Sequence, residues 1–183
     1  ASDLGRRVVV IASTRETEHA DFMDAIAHYL RREREHGSEL HSPVLFVVIP
    51  RHPERFEEAA DYLNQLGLRS VRRSALLKQG DTSTSALQAC REVDVLLGDT
   101  IGEMHWYYGL ARVAIVAGSF QPLGGQNFIE ACAVGVPVIV GPHTHNFAQA
   151  MQDAMQAGAA IRAATPAVAL QQALALVDDP ARH

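Results

Sequence analysis

The chain has little of what disulfide scaffolds, metal centres and membrane spans require. Only two of its 183 residues are cysteines, Cys90 and Cys132, and they lie far apart without metal-ligand spacing. A reducing cytoplasmic environment is therefore the simpler expectation. No apolar run approaches the roughly 20 residues of a membrane-spanning helix, so we expect the chain to be soluble. The formal net charge of −5 gives no electrostatic case for a nucleic-acid partner.

Short apolar runs instead alternate with amphipathic helical patterns. The run at residues 113–117 is short and rich in β-branched residues, which is typical of a strand buried on both faces of a sheet. Strands that alternate with helices predict an α/β fold, a Rossmann-like parallel sheet with helices on both faces, in one domain over residues 1–183. Strands are predicted at residues 8–12, 44–49, 70–77, 93–97, 113–117, 138–140 and 159–161.

A glycine-rich turn follows the strand at 113–117. Gly118, Gly124 and Gly125 permit backbone shapes that a Cβ disfavours, and a helix is predicted to open at Gln126 or Asn127. The free N–H groups and the dipole at such a helix start suit a phosphate. A glycine-rich turn that binds no ligand is the alternative, because such turns are common in α/β folds.

Two charged side chains extend this candidate site. Glu130 lies about one helical turn beyond the glycines, where its carboxylate could accept hydrogen bonds from a sugar hydroxyl. Arg51 follows a predicted strand in the segment Pro50-Arg51-His52-Pro53. An arginine at the carboxyl end of a parallel strand faces the crevice where α/β folds bind ligands, so we favour phosphate contact for Arg51 over a surface role. His52 could bind there or hydrogen-bond the turn.

The remaining loops carry weaker signals. Arg15 could meet a phosphate or carboxylate, or be a solvated arginine in a first helical turn. Glu103 is either a ligand contact or a first-turn acid that the helix dipole favours. His143 and His145 lack a third ligand at suitable spacing, so no metal site is predicted there, and Asn146 is predicted to cap the next helix.

The string at residues 118–147 resembles the signature of 3-deoxy-D-manno-octulosonate (Kdo) transferases, which attach Kdo to lipid A precursors. Its elements here are Ser119-Phe120, Gly124-Gly125-Gln126-Asn127 with Glu130, Gly135-Val136-Pro137-Val138, and Gly141-Pro142 with Asn146-Phe147. Pro50-Arg51-His52 and Gly102-Glu103-Met104 also match the family, and residues 12–18 match it in outline. Gln126 departs from the pattern, because histidine is usual at that position.

The resemblance implies the carboxyl-terminal, donor-binding half of a GT-B glycosyltransferase, with CMP-Kdo as donor and no cofactor or metal. The catalytic base, the lipid A precursor site and the contact with the cytoplasmic face of the bacterial inner membrane would belong to an amino-terminal acceptor domain absent from this chain. Such enzymes invert the sugar, and this chain alone is expected to be inactive. The residues implied to bind nucleotide are Arg51, His52, Gly102, Glu103, Met104, Ser119, Gly124, Gly125, Gln126, Asn127 and Glu130, and those implied to contact the donor sugar are Thr14 and Arg15.

Two alternatives share part of this pattern. A GT-B enzyme that uses a UDP-sugar, or a domain like UDP-GlcNAc 2-epimerase, would also have the glycine-rich turn and the ribose-binding glutamate. A nicotinamide-binding or regulatory nucleotide module is the alternative of another class. Against its dinucleotide form, the strand at residues 8–12 leads into Ser13-Thr14-Arg15 rather than a Gly-x-Gly-x-x-Gly turn.

Overall fold

The computed structural model describes residues 4–15, 18–36, 44–78 and 83–178. Within these ranges, seven strands form a single sheet in which every neighbouring pair is parallel, in the order β3-β4-β2-β1-β5-β6-β7. The strands are β1 (Arg7–Thr14), β2 (Val44–Pro50), β3 (Ser70–Arg72), β4 (Val95–Leu97), β5 (Val113–Val116), β6 (Val138–Val140) and β7 (Ala160–Arg162).

Eight α-helices lie in the described part of the chain, seven of them between strands and the eighth after β7. They are α1 (Glu18–Glu35), α2 (Phe56–Gln65), α3 (Arg73–Lys78), α4 (Ser83–Glu92), α5 (Met104–Leu110), α6 (Ile129–Ala133), α7 (Ala148–Gln156) and α8 (Pro166–Asp178). Two 3₁₀ turns, Pro53–Arg55 and His145–Phe147, precede α2 and α7. No helix among the described residues is both long and apolar enough to cross a bilayer.

Each face of the sheet has its own hydrophobic core. Alternate residues of β1 point to opposite sides, so Val9 and Ile11 pack in one core while Val8 and Val10 pack in the other. Residues of α1, α2 and α8 complete the first core, and residues of α5, α6 and α7 help to complete the second. The parallel sheet with helices on both faces confirms the predicted architecture. It also explains the unbroken apolar runs, because all seven residues of β2 are buried.

Three local predictions were wrong. The edge strand predicted over residues 70–77 ends at Arg72, because Arg73 begins α3. The helix predicted to open at Gln126 or Asn127 begins at Ile129 and has five residues. Asn146 does not cap α7: the position before that helix is Phe147, without a side-chain capping bond, and the amide of Asn146 donates to the carbonyl of Leu123.

Candidate functional site

A crevice of about 250 Å³ opens at the carboxyl ends of the central strands. β1 and β5 are neighbours in the sheet, and the connection after β1 leads to β2 on one side while the connection after β5 leads to β6 on the other. Open α/β sheets bind ligands at such a switch point. Six of the residues proposed from the sequence line the crevice: Arg51, Gly102, Met104, Gln126, Asn127 and Glu130. Ser13, Ile49, Pro50, Phe56, Thr100, Ile101 and Tyr108 complete its wall.

Arg51 connects the end of β2 with the glycine-rich segment. Its backbone N–H donates to the carbonyl of Thr14 at 2.9 Å, and its exposed side chain donates from Nε to Oε1 of Gln126 at 3.3 Å. The glutamine that replaces the usual histidine therefore holds the arginine side chain at the crevice. The terminal nitrogens of the guanidinium have no hydrogen-bond acceptor among the described residues, so they are available to an anion.

Asn127 and Glu130 are joined directly. The side-chain amide of Asn127 donates to Oε1 of Glu130 at 2.7 Å, and its carbonyl oxygen accepts from the N–H of Ile129 at 3.1 Å. Asn127 thus satisfies a free N–H at the start of α6 and also fixes the carboxylate in the crevice. The second oxygen of Glu130 has no hydrogen-bond donor in the part of the chain that the structure describes, and it can accept from a hydroxyl.

The late start of α6 changes how this segment could hold a phosphate. Residues 124–127 precede the helix, and a helix of five residues carries only a short array of aligned peptide dipoles. Positive potential at the crevice therefore comes mainly from the guanidinium of Arg51 rather than from a helix terminus.

Gly124 and Gly125 lie outside the crevice wall. Both have positive φ, at 88° and 86°, and a Cβ on Gly124 would come within 2.3 Å of the Asn146 side chain and 2.7 Å of His145. The N–H of Asn146 donates to the carbonyl of Gly124 at 3.1 Å. The absence of a Cβ at these glycines allows residues 141–147 to pack closely against the turn that supports the crevice wall.

Ser119 and Thr14 are buried beside the crevice rather than in its wall. The Ser119 hydroxyl donates to the carbonyl of Val116 and accepts from the N–H of Gly141, both at 2.8 Å, so it ties β5 to the end of β6. The Thr14 hydroxyl is buried and has no hydrogen-bond partner among the residues that the structure describes. Ser13, which has a φ of 58° where the β1–β2 register shifts, is the residue of this loop that lines the crevice.

Arg15, His52 and Glu103 also lie outside the crevice wall. The N–H of Arg15 donates to Glu18 at 3.0 Å, and its next two neighbours, Glu16 and Thr17, lie outside the described residues. The carbonyl of His52 accepts from Arg55 in the turn before α2. Glu103 pairs with Arg73, whose hydrogen bonds hold the pKa of that carboxyl below its ordinary value.

Glu18 lies behind the crevice wall and, like the wall residues Ser13, Thr100 and Ile101, was not proposed from the sequence as part of the site. Its carboxylate is fully buried and accepts hydrogen bonds from the backbone N–H groups of Gly118, Phe120, Gln121 and Arg15. The signal was its place at the start of the helix after β1. Read locally, however, such an acid is only a favourable first-turn residue. Its partners are 100 or more residues away in sequence for three of the four bonds.

No group of three or more His, Cys, Asp or Glu side chains suited to a metal ion occurs among the described residues. His143 and His145 accordingly have no third ligand beside them in that part of the chain. Both lie next to the glycine-rich turn, and His145 contacts the position where Gly124 would carry a Cβ.

Comparison with known proteins identifies relatives of the whole chain. It is 51% identical over all 183 residues to the 3-deoxy-D-manno-octulosonic acid transferase of Bordetella pertussis, of which it spans 40%. It is 34% identical over 131 residues, 72% of this chain, to the transferase of the same name from Haemophilus influenzae, of which the match covers 28%. The chain thus spans less than half the length of these relatives. No protein-family model matches it.

The fold has a solved counterpart. The crystal structure of the C-terminal CMP-Kdo binding domain of WaaA from Acinetobacter baumannii superposes with a TM-score of 0.81 and 31% identity, covering 97% of this chain and 83% of that domain. The predicted fold class, the carboxyl-terminal half of a GT-B glycosyltransferase, is confirmed by this match. Sequence identity over the full chain and structural agreement over nearly all of it lead to one conclusion: the chain belongs to the 3-deoxy-D-manno-octulosonic acid transferase family.

Proposed function

We propose that this chain is the donor-binding domain of a Kdo transferase and that CMP-Kdo binds in the crevice at the carboxyl ends of β1, β2, β4 and β5. The observation that carries the proposal is the convergence of Arg51, Gln126, Asn127 and Glu130 on one crevice. These residues come from motifs about 75 residues apart in sequence. The related domain from A. baumannii is described as binding CMP-Kdo, which supports the same donor here.

The groups in the crevice suit the parts of a cytidine nucleotide. Arg51 would neutralise the phosphate that joins CMP to the sugar, and Gln126 would hold the guanidinium in place. Glu130 would accept from the ribose hydroxyls with the oxygen that Asn127 leaves unoccupied. Thr100, Ile101, Gly102 and Met104 form the opposite wall and would face the base.

The proposed transfer is a displacement at the anomeric carbon of Kdo. The bond between the anomeric carbon of Kdo and the CMP phosphate breaks while a hydroxyl of a lipid A precursor attacks from the other face, so the configuration inverts. The departing CMP takes the electron pair, and Arg51 stabilises the negative charge that develops on its phosphate. A carboxylate of the amino-terminal half would take the proton from the attacking hydroxyl, so this chain is assigned no catalytic residue. The complete enzyme would work at the cytoplasmic face of the inner membrane.

Thr14 and Arg15 remain proposed contacts for the Kdo moiety. Their segment adjoins Ser13 at the crevice wall, and the buried Nε of Arg15 has no hydrogen-bond partner within the described ranges. A sugar acid in the crevice would bring a carboxylate to this side, where an arginine is the suitable partner.

A nucleotide panel tests the proposal. Isothermal titration calorimetry with CMP, UMP, UDP and AMP should show the tightest binding for CMP. Tightest binding of UDP or UMP would favour a UDP-sugar enzyme or a 2-epimerase-like domain and overturn the assignment of the donor. Absence of binding to every nucleotide in the panel would overturn the assignment of the crevice.

A further inference from the structure

Arg73 is a buried arginine that does not line the crevice but holds one of its walls. Only 8% of its surface is exposed. Its Nη2 and Nε donate to the two oxygens of Glu103 at 3.0 and 3.3 Å, and its Cζ lies 4.1 Å from the centroid of the Trp106 ring. The guanidinium is thus fixed by a bidentate ion pair at its edge and by an aromatic ring at its face.

The bond network continues from Glu103 into the crevice loop. Glu103 also accepts from the hydroxyl of Thr100, which lies 3.0 Å from the hydroxyl of the buried Tyr107. Thr100 and Glu103 are the two ends of the loop at residues 100–103. One carboxylate therefore joins both ends of that loop, and Arg73 fixes the carboxylate.

The two residues between these ends are exposed at the crevice. Ile101 and Gly102 both line its wall, and Ile101 is 79% exposed, so its apolar surface is open to a bound ligand. Gly102 has a φ of 82°, which turns the backbone in a way that side-chain-bearing residues rarely adopt. A flat ring bound in the crevice would cover Ile101 and could reach the polar groups of the loop backbone.

We propose that Arg73 is a positioning residue that sets the base preference of this site by holding the loop at residues 100–103 through Glu103 and Thr100. The proposal rests on the proposed function, since it needs a nucleotide in the crevice. Cytosine presents an amino donor where uracil presents a carbonyl acceptor, so a fixed backbone can accept one and reject the other. A loop that is free to shift by about an ångström would lose that selection, and the site would bind cytosine and uracil with similar affinity.

Arg73 could instead serve only to pack α3 against α5, and base selection separates the two roles. A residue that only stabilises the fold changes the midpoint of unfolding and leaves the ratio of CMP to UMP affinity unchanged. A residue that positions the loop changes that ratio. Binding of ribose 5-phosphate, which lacks a base, should be unaffected in either case.

The experiment compares the wild type with Arg73→Met and Arg69→Met by calorimetry with CMP, UMP and ribose 5-phosphate. Arg69 is the matched control, because it also contacts both oxygens of one carboxylate, that of Asp94. Asp94 precedes the amino end of β4, whereas the loop at residues 100–103 follows the carboxyl end of that strand, at the crevice. We expect Arg73→Met to lower the CMP-to-UMP ratio about five-fold or more with little change for ribose 5-phosphate. Arg69→Met should lower stability and keep the ratio.

Glu103→Gln provides a second route if Arg73→Met does not fold. It keeps the size of the side chain and weakens the ion pair, so it should lower the same ratio. The double variant with Arg73→Met and Glu103→Gln should lower the CMP-to-UMP affinity ratio no more than either single substitution does, because both substitutions act through the same ion pair. Trp106, the one tryptophan in the sequence, should change its fluorescence in Arg73→Met and thereby report that the guanidinium has left its ring.

Two results would overturn the inference in distinguishable ways. If the wild type prefers CMP and both Arg73→Met and Glu103→Gln keep that preference, Arg73 does not position the loop, although the donor assignment stands. If the wild type binds no nucleotide, the proposed function fails and this inference fails with it.

Discussion

The carboxylate of Glu18 accepts a hydrogen bond from the backbone N–H of Gly118 at 2.7 Å, across 100 residues of sequence. The N–H groups of Phe120 and Gln121 donate to the other oxygen of the same carboxylate. One buried side chain at the start of α1 therefore holds the turn that follows β5. The two loops that meet at the switch point of the sheet are fixed to each other by this contact.

Glu18→Gln should destabilise the fold by about 2 kcal/mol or more, because an amide places N–H donors against backbone N–H donors in a buried site. Urea denaturation measures the loss. Glu92→Gln is the matched control, since Glu92 is exposed and accepts from Gln88 on its own helix, and it should leave the midpoint unchanged. Equal midpoints for Glu18→Gln and the wild type would show that the turn does not need this carboxylate.

Arg51→Ala should weaken CMP binding about ten-fold or more through loss of a charge-assisted contact to phosphate. Calorimetry on the folded variant measures the effect. Arg55→Ala, four residues further on and paired with Glu58, is the control and should bind CMP as the wild type does. An unchanged affinity in Arg51→Ala would remove this arginine from the phosphate site.

Glu130→Gln should cost roughly 1–3 kcal/mol of CMP affinity, because one accepting oxygen becomes a donor. Asn127 donates to one oxygen of Glu130, so the side chain of the Gln variant can keep that hydrogen bond and lose only the contact with ribose. Comparison of CMP with its 2′-deoxy and 3′-deoxy analogues isolates the sugar. The wild type should discriminate against these analogues and the variant should discriminate less, whereas equal discrimination by both proteins would leave Glu130 a structural residue.

The 183-residue chain should neither transfer nor hydrolyse the sugar of CMP-Kdo above the uncatalysed rate, because the proposed base lies outside it. A coupled assay measures the release of CMP, once with and once without a lipid A precursor. Heat-denatured protein supplies the background. Turnover by the purified chain would place a catalytic base among these residues.

Stability should fall with acidification below about pH 4, where carboxylates begin to take up protons. Burial alone would raise the pKa of Asp94, but the hydrogen bonds and charge of Arg69 hold it below its ordinary value. The pKa of Asp99 is likewise lowered by Ser74 and Arg72 against the effect of burial. A carboxyl whose pKa is lower in the folded state stabilises the fold above its unfolded pKa, and this contribution disappears as pH falls through the folded value.

Asp94→Asn tests this dependence. The variant should be less stable at pH 7, since Arg34 and Arg69 lose their carboxylate partner, and its unfolding free energy should decline less steeply than that of the wild type as pH falls below about 4. Asp61→Asn, at an exposed position on α2, should leave the urea midpoint at pH 7 unchanged. Urea midpoints from pH 7 to below about pH 4 measure both variants, and parallel curves for Asp94→Asn and the wild type would contradict the assignment.

Much of the fold was predictable because its cause is local. Strands buried on both faces need unbroken apolar runs, and β1, β2 and β5 have them, so their places were predicted correctly. Helix ends have local causes as well: Gly158, with a φ of 74°, follows the last turn of α7, and Pro166 begins α8, where the N–H of Val168 donates to the hydroxyl of Thr165. The family motifs then indicated Arg51 and Glu130, and both line the crevice.

Predictions from local sequence patterns were wrong where a residue distant in sequence determines the backbone conformation. Arg72 and Arg73 were both assigned to a strand, but Asp99, 25 residues beyond Ser74, accepts from the N–H and hydroxyl of Ser74 and so favours the start of a helix there. The glycine-rich segment has no regular secondary structure from Gly118 to Phe128, because the N–H of Gly125 donates to the carbonyl of Gly118 and the N–H of Asn146 donates to the carbonyl of Gly124. None of these pairings has a signal within a short window of sequence.

The sequence by itself determined the order of strands and helices, the family and the residue types that can hold a nucleotide. The tertiary structure decided which of those residues share a crevice. It placed Arg51 beside Gln126 and Asn127 beside Glu130 at the wall, and it turned Ser119 inward to bind backbone. It also gave Glu18 and Arg73 their roles, because a charged side chain acts on whatever donors and acceptors the fold brings within about 3 Å of it, however far apart they lie in the chain.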